Sequence, residues 1–193
     1  MSVETKNIMI VGVGGQGTLL ASKLLGAVLL ERGWDVKVSE VHGMSQRGGS
    51  VVTYVRWGDR VCSPVIDEGE ADIILSFELL EAARYLRCLK KGGRLIVNTQ
   101  QIDPMPVITG AAAYPENLVQ KMEAAGADVI ADDFLALACE AGSARAVNVA
   151  LLGRLSTLMP DIEDNVWLDA IARLVPAKFV QVNQQAFLLG RGA

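Results

Sequence analysis

The sequence predicts an α/β fold, a three-layer, Rossmann-like single domain with a mixed, mainly parallel sheet and a helical C-terminal third. Three observations predict it. An apolar strand, Ile8 to Val11, runs into the turn Gly12-Val13-Gly14-Gly15-Gln16-Gly17 and then a helical stretch from Thr18 to Arg32. Apolar strands then alternate with helical segments as far as Ala131. Beyond Asp133 only helical periodicity remains.

The glycine turn sits between strand and helix, the setting in which a GxGxxG spacing carries meaning. Its glycines permit a tight turn, a close backbone approach to a ligand and close packing of helix on strand. The helix that follows aims free N–H groups and its positive dipole end over the turn, so an anion is the expected guest. The structural alternative is a close strand-to-helix crossing with nothing bound.

After Gly33, Trp34 to Val41 reads as a second strand, and a strand–helix–strand unit of this kind brings both strand ends to one edge of the sheet. Glu40 stands at about the interval, roughly 20 residues, at which a dinucleotide fold places an acid for ribose hydroxyls. The loop Val41-His42-Gly43-Met44-Ser45-Gln46-Arg47-Gly48-Gly49-Ser50 follows, with the chain's single histidine and an arginine beside glycines. Arg47 has the fork for a carboxylate or phosphate, and the loop is expected over the same crevice as the glycine turn.

Val51 to Trp57 and Arg60 to Val65 alternate about Gly58-Asp59 and read as a hairpin, which makes the sheet mixed. Ala71 to Ser76 reads as a buried strand and Glu78 to Cys88 as a helix closed by Lys90-Lys91-Gly92-Gly93. Arg94 to Asn98 is a further strand, Val107-Ile108 a short one, and Pro115 opens a helix ended by Gly126. Ala127 to Ala131 returns as a strand, and Asp132-Asp133 cap the next helix, a simpler account than a metal site. In the last third, Val147, Leu151, Leu155 and Leu158 form an apolar stripe with Asn148 and Arg154 off it; Asp164 and Pro176 open the final helices.

At 193 residues the length fits one domain with a substantial core. Hydrophobic residues are 51% and charged residues 21%, with mean hydropathy +0.31, a surplus of apolar residues that suits a partner-facing surface. Net charge −4 and pI near 5.1 argue against nucleic acid and anionic membranes as partners. The polar Met1 to Asn7 lacks a signal-peptide pattern, and no apolar run is long enough to span a bilayer, so a cytoplasmic chain is expected. Cys62, Cys88 and Cys139 are widely spaced and read as small core residues. With one histidine and no cysteine cluster, a histidine-rich metal site and an iron–sulfur site are both unsupported. Electrons would have to travel through a bound nucleotide or another subunit.

The glycine turn together with Ser39-Glu40-Val41-His42-Gly43-Met44-Ser45-Gln46-Arg47-Gly48-Gly49-Ser50-Val51 resembles the gamma-type subunit of 2-oxoacid:ferredoxin oxidoreductases. The indolepyruvate ferredoxin oxidoreductase beta-subunit group is the most similar. Ser63-Pro64, Glu68 to Asp72, Val97 to Gln100, Ala146 to Asn148 and Pro176 to Phe179 extend the resemblance almost end to end. It implies one pyruvate/ketoisovalerate oxidoreductase gamma-type catalytic domain over residues 1–193, inactive alone. It further implies an alpha partner subunit carrying thiamine diphosphate and 4Fe-4S clusters, coenzyme A as co-substrate, and ferredoxin as acceptor through the complex. The reaction implied is oxidative decarboxylation of an aryl 2-oxoacid to an acyl-CoA.

On this reading Gly12, Gly14, Gly15, Gln16, Gly17, Glu40, His42, Ser45, Gln46, Arg47, Gly48 and Gly49 are candidate cofactor- or substrate-binding residues at a subunit interface. Catalytic residues and the occupying anion are left open. Two other readings stand beside it: a self-sufficient NAD(P)- or FAD-binding oxidoreductase, resting on the glycine turn and Glu40, and a structural subunit with an empty turn.

Overall fold

The computed structural model describes residues 4–40 and 49–192. Six strands form one sheet: β1 (Lys6–Val13), β2 (Asp35–Glu40), β3 (Ser50–Gly58), β4 (Ala71–Ser76), β5 (Leu89–Asn98) and β6 (Asp128–Asp132), in the order β2-β3-β1-β4-β5-β6. β1, β4, β5 and β6 are mutually parallel, and β3 runs antiparallel to both β1 and β2. The sheet is mixed and mainly parallel, as the sequence predicts.

β1 is central because Ile8, Met9, Ile10 and Val11 are apolar on both faces, so the strand is stable only when covered twice. Ile8 and Ile10, with Leu75 and Ile96, face α1 (Thr18–Glu31) and the C-terminal helices α5 (Phe134–Glu140), α6 (Val147–Ser156), α7 (Asp164–Leu174) and α8 (Val180–Gly192). Met9, Val11, Ile74, Leu95 and Val97 face α2 (Leu79–Tyr85) and α4 (Leu118–Ala124). Three layers result. Among the described residues no helix is long and apolar enough to cross a membrane.

The structure corrects several local expectations. Residues 60–65 are not the second arm of a hairpin, because both edges of β3 are already taken by β1 and β2. Side chains satisfy that segment instead. Arg56 donates to the carbonyls of Ser63 (3.0 Å) and Val65 (2.7 Å), and Asp35 accepts from the Val61 N–H (2.8 Å). Lys90-Lys91-Gly92-Gly93 is not a helix end. α2 stops at Tyr85, a 3-10 turn covers Leu86–Cys88, and the four residues bulge from β5, whose register against β4 jumps from Ala71↔Leu89 to Ile73↔Arg94.

Val107 and Ile108 lie in α3 (Met105–Ile108), a single helical turn with a proline in its first positions, where the fixed φ of proline outweighs β-branched preference. α4 starts at Leu118 rather than Pro115, and Glu163 rather than Asp164 precedes α7. Asp133 does cap α5, accepting from the Ala136 N–H at 2.9 Å. Of the three cysteines only Cys88 is buried; Cys62 and Cys139 are exposed, which corrects the core assignment for those two.

Candidate functional site

β1, β4 and β5 end at one edge of the sheet, and the glycine turn rises from it. Gly17 precedes α1 with φ +86, a left-handed conformation that favours glycine, and a Cβ there would lie 2.7 Å from Asn148 Nδ2. The Asn148 amide donates to the Gly17 carbonyl at 3.2 Å, so a residue off the apolar stripe of α6 is buried and ties that helix to the turn.

Gln16 braces the turn. Its Oε1 accepts from the Val13 N–H at 2.8 Å, and its Nε2 donates to the Phe77 carbonyl at 2.9 Å and to Gln100 Oε1 at 3.3 Å. A Cβ on Gly12 would lie 2.9 Å from that Gln16 oxygen and 2.9 Å from Phe77 Cβ, so the brace needs glycine at this position. The Gly14 N–H donates to the Gly49 carbonyl at 2.9 Å, which brings the last glycine of the second loop against the first. His42, Ser45, Gln46, Arg47 and Gly48 lie outside the described residues.

No side chain among the described residues caps α1. The Leu20 and Ala21 N–H groups both turn back to the Gly17 carbonyl (3.1 and 3.3 Å). In front of that end is a cleft of about 250 Å³ lined by Gly14, Gly15, Gly17, Thr18, Leu19, Val51 and Thr53, none of them charged. Glu40, at the end of β2, pairs with Thr53 of β3 and accepts from the Ser22 hydroxyl at 2.7 Å.

On the other side of β1 the chemistry reverses. A cavity of about 70 Å³ is lined by Val13, Ser50, Glu78, Glu81, Arg84 and Asp103, among others. Glu78, 1% exposed, is held by the Glu81 N–H (2.8 Å), the Ile102 N–H (3.1 Å) and the Tyr114 hydroxyl (2.5 Å). Glu81 accepts from the Ser50 hydroxyl and pairs with Arg84 at 3.2 Å, and burial pushes its carboxyl above the ordinary range despite both partners. Tyr114 is raised as well, by burial and by its bond to Glu78.

An anion at this edge is therefore favoured on the α1 side, where the wall is uncharged backbone, and opposed on the α2 side, where carboxylates line the wall. The Glu78–Glu81 pair escapes sequence reasoning because each bonds groups more than twenty residues away, Ile102, Tyr114 and Ser50. An acid at a helix start is a common cap and gives no such signal.

Among the described residues no group of three His, Cys, Asp or Glu is placed to hold a metal ion.

The family model for pyruvate ferredoxin/flavodoxin oxidoreductase matches residues 7–193. The chain belongs to this family. Among curated relatives it is 46% identical to indolepyruvate oxidoreductase subunit IorB of Thermococcus kodakarensis, over 95% of this chain and 93% of that one. The corresponding protein of Pyrococcus horikoshii is 47% identical over the same shares. Of solved structures, pyruvate oxidoreductase subunit PORC from Thermotoga maritima superposes with a TM-score of 0.76 at 19% identity, covering 98% of this chain and 96% of that one. The keto/oxoacid ferredoxin oxidoreductase gamma subunit from Geobacter sulfurreducens gives 0.70 at 24% identity, covering 96% and 95%. The sequence expectation of a gamma-type fold in this family is met.

Proposed function

We propose that the chain is the non-cluster subunit of a 2-oxoacid:ferredoxin oxidoreductase acting on indolepyruvate or another aryl 2-oxoacid, active only with a larger partner. The observation that carries this reading is the 46% identity to an indolepyruvate oxidoreductase subunit over nearly the full length of both chains. The partner supplies thiamine diphosphate and 4Fe-4S clusters, and coenzyme A is the co-substrate. Cluster ligation does not fit this chain, which has three cysteines, one buried and two exposed, where such a cluster takes four thiolates.

The chain's own part is to close the shared site. The Thr18 and Leu19 N–H groups stand at the start of α1 over the uncharged cleft, ready for an anionic group of the 2-oxoacid, the diphosphate or coenzyme A. Arg47 of the second glycine loop is the matching cation. Gln16 holds the turn rather than the ligand, its amide being spent on Val13, Phe77 and Gln100.

A nicotinamide- or flavin-binding enzyme is the rival from the glycine turn, and the topology weighs against it. A dinucleotide fold sets its acidic residue on the strand beside β1, whereas here β3 separates β2 from β1 and Glu40 is turned to Ser22. Calorimetry of the isolated chain with NAD, NADP and FAD is expected to show no micromolar binding. Co-expressed with its larger partner, the chain is expected to support coenzyme A-dependent oxidation of aryl 2-oxoacids in preference to pyruvate. Micromolar nucleotide binding, or preference for a small aliphatic substrate, would contradict the reading.

A further inference from the structure

The segment between β5 and α4, residues 101–117, contributes no buried residue. From Pro104 to Pro115 it also contains no charged residue. Such a stretch ordinarily lacks fixed structure, yet this one is tied at both ends and along its length. The Leu79 N–H donates to the Gln100 carbonyl at 3.0 Å, and Glu78 takes Ile102 at one end and Tyr114 at the other. Within it, Val107 and Ile108 donate to the Pro104 carbonyl (2.9 and 3.1 Å), and Ala112 to that of Pro106 (3.0 Å).

This built arm presents Met105, 67% exposed, and Ile108, 65% exposed, the two most exposed of the large apolar side chains among the described residues. It stands at the strand-end edge, joined to the glycine turn through Gln100 and Gln16. Depletion of charge together with exposed methionine and a half-buried tyrosine is the composition of an interface centre.

A relative supplies the choice of partner. The chain is 28% identical to ketoisovalerate oxidoreductase subunit VorA of Methanothermobacter marburgensis, matching 85% of this chain but 31% of that one. There the same kind of domain is covalently continuous with a much longer polypeptide. A separate chain must replace that linkage by surface contact. We propose that the arm 101–117, with Met105 and Ile108 at its centre, is the docking element for the larger subunit of the same oxidoreductase. This rests on the reading of the chain as a subunit, and it assigns Glu78 the task of holding the docking element in shape.

The test is the affinity of the full chain for its larger subunit, by interferometry, for the wild type, the Met105→Asp/Ile108→Asp pair, the milder Met105→Ser/Ile108→Ser pair, and Leu30→Asp. Leu30 is 60% exposed near the far end of α1. With circular dichroism unchanged, the Asp pair is expected to weaken binding by about 30-fold or more, as loss of a hot spot does, and the Ser pair by less. Leu30→Asp should bind as the wild type does. Wild-type binding with both arm pairs within about threefold of it would overturn the docking assignment, as would equal weakening by Leu30→Asp. No wild-type binding at all would instead overturn the subunit reading beneath it.

Discussion

Gly15 and Gly17 share a left-handed backbone, with φ +102 and +86, but differ in surroundings. A Cβ on Gly15 meets nothing within 4 Å, whereas one on Gly17 meets the Asn148 amide at 2.7 Å. Gly15→Ala should therefore lose only the backbone term, about 1 kcal/mol. Gly17→Ala should lose more than twice that by urea denaturation, because Asn148 must also move and release the Gly17 carbonyl. Equal losses would mean that Asn148 does not brace the turn.

Glu81 offers a test of sign. Its carboxyl is raised by burial, so between the ordinary carboxylate value and the raised one the folded protein keeps a proton that the unfolded chain has released. Its contribution to stability is present below that window and falls as pH rises through it. Glu81→Gln removes this term, so its Tm relative to wild type should climb as pH is raised from about 4 to about 7. A constant difference would contradict the assignment. The glycine turn was legible because positive φ leaves a residue-type signature; Glu78 and Glu81 were not, because their partners meet them only in the folded chain.

At the scale of elements, α6 and α8 cross with backbones in direct contact. A Cβ on Gly153 would run into the Phe187 carbonyl and one on Gly190 into that of Ala150. Helix propensity alone would make Gly190→Ala stabilising by about 1 kcal/mol. Two packed backbones cannot part cheaply, however, and a net loss of about 2 kcal/mol is expected from chemical denaturation. A gain would mean the crossing is looser than described. Glycine spacing in a helical third gave no hint of which faces would meet.

Strand identity was legible wherever apolar runs were doubly buried, as in β1, and failed where alternation followed a strand with no free edge. Residues 60–65 alternate like a strand, but β3 has a partner on each side and Arg56 and Asp35 satisfy the segment instead. Pro106 likewise turned an apparent Val107-Ile108 strand into α3.

For the whole molecule, the mixed sheet was expected from a hairpin over residues 51–65 that does not form, β3 lying antiparallel to β1 and β2 instead, whereas the layer order followed from the order of apolar segments. The insertion of β3 between β2 and β1 did not, since no local feature states which strand lies beside which. That insertion bears on function: it moves Glu40 away from the place a dinucleotide fold would use and leaves an uncharged, donor-lined cleft at the edge of the sheet. On the proposed reading, the cleft at α1, the carboxylate-lined cavity beyond β1 and the uncharged arm after β5 divide the same edge into a place for an anion, a place that repels one and a surface for a partner.

The central claim is that this chain completes an oxidoreductase it cannot run alone. Titrating it into the larger subunit proposed to bear thiamine diphosphate, with indolepyruvate, coenzyme A and ferredoxin present, measures that directly. Ferredoxin reduction should be negligible for either protein by itself and should rise to a plateau at a fixed subunit ratio. Turnover by this chain without the partner, or by the larger subunit at an unchanged rate without this chain, would contradict the account.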